Sequence, residues 1–379
     1  MNHTRRAALG SFAALGTAGL AGCLGGVRPT GGTGTDAADA NDETAAGAPP
    51  TADEPRRLAY DRDALVDESL DGGVGKDGIP SVDDPAFEPV VESDLVDDAP
   101  VFGVVRDGEA KAYPQRVLAH HEIVNDVVGG DPIAVTYCPL TGTAQGFERG
   151  ETTFGVSGRL VNSNLIMYDR ATESWWPQVL ATAVEGPMRG ATLREFRVVW
   201  TTVAEWRSAR PDAVLMTDDT GYVRRYGNDP YGIYAPLDGY YAAERTIFPP
   251  LSEPETGHPK SVVLGARTAG GAVAFDKRTL LDRRVLTGTF EPDGDPAVAV
   301  ADATLSTGYV YRTSADATVE PDGDGYLLTG RGAGPEGPFE PTELPLERVL
   351  ALDAMWFAWA GFYPDTGFAG EHTGGGYGR

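Results

Sequence analysis

The sequence predicts a β-rich α+β fold made of two degenerate, internally repeated units with barrel-like or sandwich-like sheets and short helices. Composition is the first sign: 49 glycines and 28 prolines in 379 residues suit a turn-rich body better than a helical bundle. Second, the apolar stretches are short and punctuated by glycine and proline, as strands are. Third, the chain aligns with itself: residues 101–118 match 263–280 without a gap, pairing Gly103 with Gly265, Gly108 with Gly270, Ala112 with Ala274, Tyr113 with Phe275 and Leu118 with Leu280. Gly130-Asp131-Pro132 recurs as Gly294-Asp295-Pro296. Each unit closes on a tryptophan, Trp206 or Trp359, five residues before a Pro-Asp pair.

The chain begins with an export signature. Arg5-Arg6 is a twin-arginine pair, and the apolar, small-residue run that follows is too short to cross a bilayer and sits where a signal core belongs. It ends in Leu20-Ala21-Gly22-Cys23, which looks like a lipobox with Cys23 as the lipidated residue. Residues 1–23 are therefore expected to be a lipoprotein signal, placing the protein on the outer face of the cell membrane with membrane lipid as its first partner. Residues 24–75 are expected to form a disordered tether: the stretch to about Ala59 is Gly, Thr, Ala, Asp and Pro with almost no large apolar residue. About 35 such residues span on the order of 30 Å as a coil. With Cys23 consumed by lipid, Cys138 is the only thiol of the mature chain and has no partner for an internal disulfide.

Charge narrows the partners. The net charge is −25, and only four of the 31 basic residues are lysine. A surface so acidic and poor in lysine predicts a protein of concentrated salt, where a Debye length of about 3 Å at 1 M removes self-repulsion. No basic stripe exists to displace counterions from phosphates, so nucleic acid is excluded as a partner. Phosphate-cradling glycine motifs are absent too.

The first unit is expected over 76–222 and the second over 261–369. They are joined by a linker, 223–260, lying in a stretch with six tyrosines between Tyr222 and Tyr241, and followed by a glycine-rich tail, 370–379. Asp107-Gly108 between apolar runs predicts a hairpin of 101–106 with 109–113. Pro114 opens a helix predicted over 115–124. Strands are expected at 133–137, around Phe147, at 154–160 and at 165–168, then a helix carrying Trp206. The tyrosine-rich linker reads either as an ordered connector laid across both units or as a face that binds an envelope ligand.

Comparing the two copies points to chemistry. The first carries His120, His121, Glu122 and Asn125 near its helix and Tyr137-Cys138-Pro139-Leu140-Thr141-Gly142-Thr143 after a strand; the second has Asp282-Arg283-Arg284 and Ala301-Asp302-Ala303 there. On a helix, His121 and Asn125 share a face that could turn toward Cys138. Three readings stand. Thiolate and imidazole, Cys138 and His121, are a donor pair suited to copper or zinc, though no third ligand is evident. Alternatively Cys138 is a nucleophile activated by His121 and oriented by Asn125, in a cysteine-dependent hydrolase or transferase, with the 141–143 amides as an oxyanion nest. In the third, both residues are structural. Glu122 reads as a base, a partner of His121 or a surface charge. Trp176, Gln178, Thr141 and Thr143 are candidates to line a substrate pocket. Asp169-Arg170 reads as an ion pair closing a turn, and Ser157 as a strand-edge serine.

Several segments also resemble domain-of-unknown-function family 3179: Gly108-Glu-Ala-Lys-Ala-Tyr-Pro114, His121-Glu-Ile-Val-Asn-Asp126, Thr136-Tyr-Cys-Pro-Leu-Thr-Gly-Thr143, Phe154-Gly-Val-Ser-Gly158, Asn164-Leu-Ile-Met-Tyr-Asp-Arg170, Ser174-Trp-Trp-Pro-Gln178, His258-Pro-Lys260 and Met355-Trp-Phe-Ala-Trp359. The resemblance runs from about Gly78 to Phe368. It implies no particular reaction, but it places His121, Glu122, Asn125 and Cys138 in the motif core and leaves His120 outside it.

Overall fold

The structure, a computed structural model, describes residues 46–234, 236–330 and 333–371. The twin-arginine segment, Cys23, residues 24–45 of the expected tether and tail residues 372–379 lie outside the described residues. No helix among the described residues is long and apolar enough to cross a membrane.

Both units are built alike, as the internal alignment predicts. In the first, the hairpin Pro100–Arg106 with Glu109–Pro114 pairs Gly103 with Ala112; in the second, Val262–Arg267 with Ala272–Asp276 pairs Gly265 with Ala274. Each hairpin gains an antiparallel strand on one side (Val199–Thr202 or Ala351–Met355) and a short parallel strand on the other (Val214–Met216 or Gly367–Ala369). Each leads into a short helix, Gln115–His121 or Lys277–Arg283. A second antiparallel sheet follows, made of Ile123–Val128, Asp131–Cys138 and Thr143–Glu148, or of Val285–Phe290, Asp295–Asp302 and Thr307–Arg312. The sheets are open and sandwich-like, and none closes into a barrel.

The shared glycine and tryptophan explain one another. A Cβ on Gly103 would lie 2.1 Å from Trp206, and one on Gly265 would lie 2.4 Å from Trp359. The indole ring of each closing helix, Val203–Ala209 or Trp356–Phe362, packs flat on bare backbone of the hairpin. A hydroxyl cap starts the first of these helices: Thr202 accepts from Glu205 N–H and Glu205 reaches back to the Thr202 amide. The units meet through buried polar contacts. Arg267 donates to Glu195 at 2.7 Å with both side chains sealed, and the Met355 amide donates to Thr141 O at 2.8 Å.

The expected tether ends earlier than 75. Beyond Ala46 the chain is laid onto the body: Ala59, Tyr60 and Leu65 are buried in a core cluster, and Leu70–Asp71 pairs with the strand Phe154–Val161. A few apolar residues suffice to hold this polar segment, because tertiary contacts outweigh local composition. The linker is likewise ordered and lies chiefly on the first unit. Tyr234 stacks on Tyr241 at 3.9 Å, the Tyr137 and Tyr234 hydroxyls lie 2.6 Å apart, and Asp229 accepts from Tyr241 at 2.8 Å and from Gln115 at 2.7 Å. It touches the second unit at Thr256 and Pro259, whose carbonyls accept from Trp356 and Phe357.

Candidate functional site

The helix predicted over 115–124 stops at His121. Ile123, Val124, Val127 and Val128 favour strand, and the segment pairs fully with Asp131–Cys138. Between helix and strand stands Glu122 in left-handed backbone, φ 59°. Consequently His121 and Asn125 do not share a helical face.

His121 points at the strap formed by the linker. Its Nδ1–H donates to Pro80 O at 2.7 Å, so Nε2 accepts from the Tyr226 hydroxyl, also at 2.7 Å. Burial lowers its pKa. Both nitrogens are thus spent away from Cys138. His120 meets Asn228 O at 3.1 Å. Asn125 ties three segments together, donating to Asp83 and to Phe154 O and accepting from Phe154 N–H. The expected copper or zinc site does not fit these donors: among the described residues no group of three His, Cys, Asp or Glu side chains could hold a metal ion.

Cys138 instead lies within electrostatic reach of Glu122. The Tyr137 amide donates to Glu122 O at 2.7 Å, which fixes Glu122 beside the end of the strand that carries the thiol. Both side chains are buried. Burial pushes the Glu122 carboxyl up to about 8, and no described residue donates a hydrogen bond to it. Burial first, and then the Glu122 charge, push the Cys138 thiol up to about 11, while hydrogen bonds with Thr141 act the other way. The thiol itself lies 3.7 Å from Ser163 O. This is a protonated thiol beside a carboxyl that is largely protonated at neutral pH.

Tyr231 and Tyr240 of the strap cover the pair. The Tyr231 phenol is pushed up by burial and then by Glu122 and Cys138, and the Tyr240 phenol by burial and then by Cys138. Tyr240 donates to Leu140 O at 2.6 Å. On the far side, the buried Lys260 ammonium lies 3.2 Å from the Tyr240 ring centre and donates to Tyr240 O. Burial lowers that amine to about 8. The sequence held two signals for this cover, the tyrosine run and His258-Pro-Lys260, but neither says which surface the strap lies on.

The other candidates sit behind the thiol. Trp176, Gln178, Thr141 and Thr143 are fully buried. Gln178 donates to Thr136 and Thr143 O and accepts from Asn164, and Trp176 donates to Asp169 at 3.0 Å. They form a buried, hydrogen-bonded layer within the core. Asp169 likewise serves Thr172 and Trp176, whereas Arg170 pairs with Asp77 and Asp83, so these neighbours form no ion pair together. Ser157 donates across the strand to Ile166 O, as a strand serine should.

The second unit supplies a contrast. Arg284 and Asp302 occupy the places of Glu122 and Cys138, and with Tyr309 and Tyr326 they border an open cleft of about 540 Å³. In the first unit that place is roofed by the strap.

Comparison with known proteins agrees with the motifs. Neither a curated protein nor a solved structure matches the chain. The profile described as "Protein of unknown function (DUF3179)" matches residues 76–366, which takes in the strap and nearly all of both units. The chain belongs to the DUF3179 family, whose span is the two-unit body described above.

Proposed function

We propose that this protein is an exported, lipid-anchored thiol enzyme of the hydrolase or transferase type, with Cys138 as nucleophile and Glu122, in place of the expected His121, as its proton partner. The export signature and Cys23 support the location; the electrostatic influence of buried Glu122 on buried Cys138 carries the chemistry. That pair occurs in one unit only, whereas the backbone that would hold it occurs in both.

The thiol at about 11 and the carboxyl at about 8 differ about a thousandfold in acidity. Resting thiolate is therefore scarce, and the sulfur becomes nucleophilic as its proton passes to ionised Glu122. Attack on an electrophilic carbonyl forms the S–C bond. Protonated Glu122 then returns the proton to the departing group, leaving a thioester for water or an acceptor nucleophile to cleave. Substrate reaches Cys138 only when Tyr231 and Tyr240 move, so strap opening precedes chemistry.

The test is alkylation of Cys138 by iodoacetamide in the Cys23→Ser chain, followed against pH, with Glu122→Gln beside it. Reaction of the folded protein with an inflection near pH 8 that Glu122→Gln abolishes supports the reading. A thiol that reacts only after denaturation, at every pH, overturns it.

A further inference from the structure

The strap has an outer face as well as an inner one. Val223 is 99% exposed, the most exposed of the large apolar residues described, and it is flanked by Tyr222 at 44% and by Arg224 and Arg225. Ile233 and Ile247 of the same strap are also exposed. Neither Arg224 nor Arg225 makes an ion pair or side-chain hydrogen bond among the described residues. In a chain whose acidic residues outnumber its basic ones 56 to 31, two adjacent surface guanidiniums without a carboxylate make a local patch of opposite charge. The nearby Asp218 is taken by Arg116 at 2.7 Å.

This tip is held from behind. Tyr226 is bonded to His121 and Thr220, and the Thr220 hydroxyl also accepts from the Tyr222 amide. Little conformational entropy remains to be lost on docking.

From this geometry we infer that the 222–225 tip docks on an anionic lipid surface, Val223 and Tyr222 entering the interface and the two arginines meeting headgroup phosphates. An aliphatic side chain projecting at its full length needs a pocket in a protein partner, whereas a fluid interface yields around it. Arginines beside it suit an anionic leaflet, where each contributes about fivefold in affinity. At low salt the net charge of −25 turns the rest of the surface away, so docking there is oriented. The inference needs neither the thiol chemistry nor the Cys23 lipid.

The test uses the full chain carrying Cys23→Ser, which cannot be lipidated, with vesicles of phosphatidylcholine alone and of phosphatidylcholine with phosphatidylglycerol, at the lowest salt that keeps the protein folded by circular dichroism. Cosedimentation should favour the phosphatidylglycerol vesicles by about tenfold or more. Val223→Asp should weaken binding about tenfold, and the double change Arg224→Glu, Arg225→Glu should abolish the preference for anionic lipid, with thermal unfolding unaltered in both. Absence of binding, or binding indifferent to these changes, overturns the inference and leaves a protein contact as the use of the tip. Cys138 alkylation in the same variants stays at the parental rate without vesicles, so the two proposals fail separately.

Discussion

Glu122 and Arg284 hold the same position in the two units. Each follows a seven-residue helix in left-handed backbone, φ 59° and 67°, and the carbonyl of each accepts an amide from the neighbouring strand, Tyr137 at 2.7 Å and Ala301 at 2.8 Å. A non-glycine residue at positive φ costs energy, and here both copies retain it. The side chains on this shared backbone have diverged: a buried carboxyl in one unit, and in the other a guanidinium that donates to Gly323 O and Gly325 O.

The raised Glu122 carboxyl makes stability depend on pH with a definite sign. The folded protein holds its proton up to about 8, the unfolded chain only to the ordinary carboxylate range. This contribution is complete below about pH 4.5 and is lost as pH rises through about 8. Unfolding in urea should show stability falling toward pH 8 by up to about 1.4 kcal/mol per pH unit from this group. Glu122→Gln should flatten that slope; an unchanged slope would place the titration elsewhere.

His121→Asn should separate a structural histidine from a catalytic one. It breaks the Nε2 contact with Tyr226 and should cost about 1–3 kcal/mol in folding. If Glu122 is the base, the pH inflection of Cys138 alkylation stays where it was. A lost inflection would return the base to His121.

Lys260 pegs the strap by donating to Tyr240 O. Lys260→Met keeps the buried stem and removes the donor. Cys138 should then react with a bulky disulfide reagent about tenfold faster at fixed pH, through easier opening of the strap. An unaltered rate would mean that access to the thiol does not run past Tyr240.

Gly103→Ala and Gly265→Ala drive a methyl into Trp206 and Trp359, respectively. Each should cost about 1–3 kcal/mol or more by overpacking, read as a lower urea midpoint. Gly227→Ala, with nothing within 4 Å of its Cβ, is the control and should be near neutral.

The hairpin of the first unit, the strand that ends in Cys138 and the helix around Trp206 are legible because each rests on local pattern: a turn pair, a short apolar run, a tryptophan that recurs before a Pro-Asp pair. The glycine and tryptophan of each unit were legible as a repeat, although not as a contact. The helix ends three residues before its predicted limit, because a glutamate at positive φ carries no sequence mark, and Asn125 therefore does not share a helical face with His121.

The sequence by itself therefore determined the duplication, the family motifs, the acidic surface and the loss of thiol and histidines from the second copy. These follow from residue identity and spacing alone. Tertiary structure decided which group stands beside Cys138. His121 and Glu122 are adjacent in the chain, and a single positive φ sends one to the strap and the other to the thiol. The same long-range packing laid Tyr231, Tyr240 and Lys260, about a hundred residues downstream, across the site. No local propensity encodes that placement, because it depends on which buried surface the strap covers.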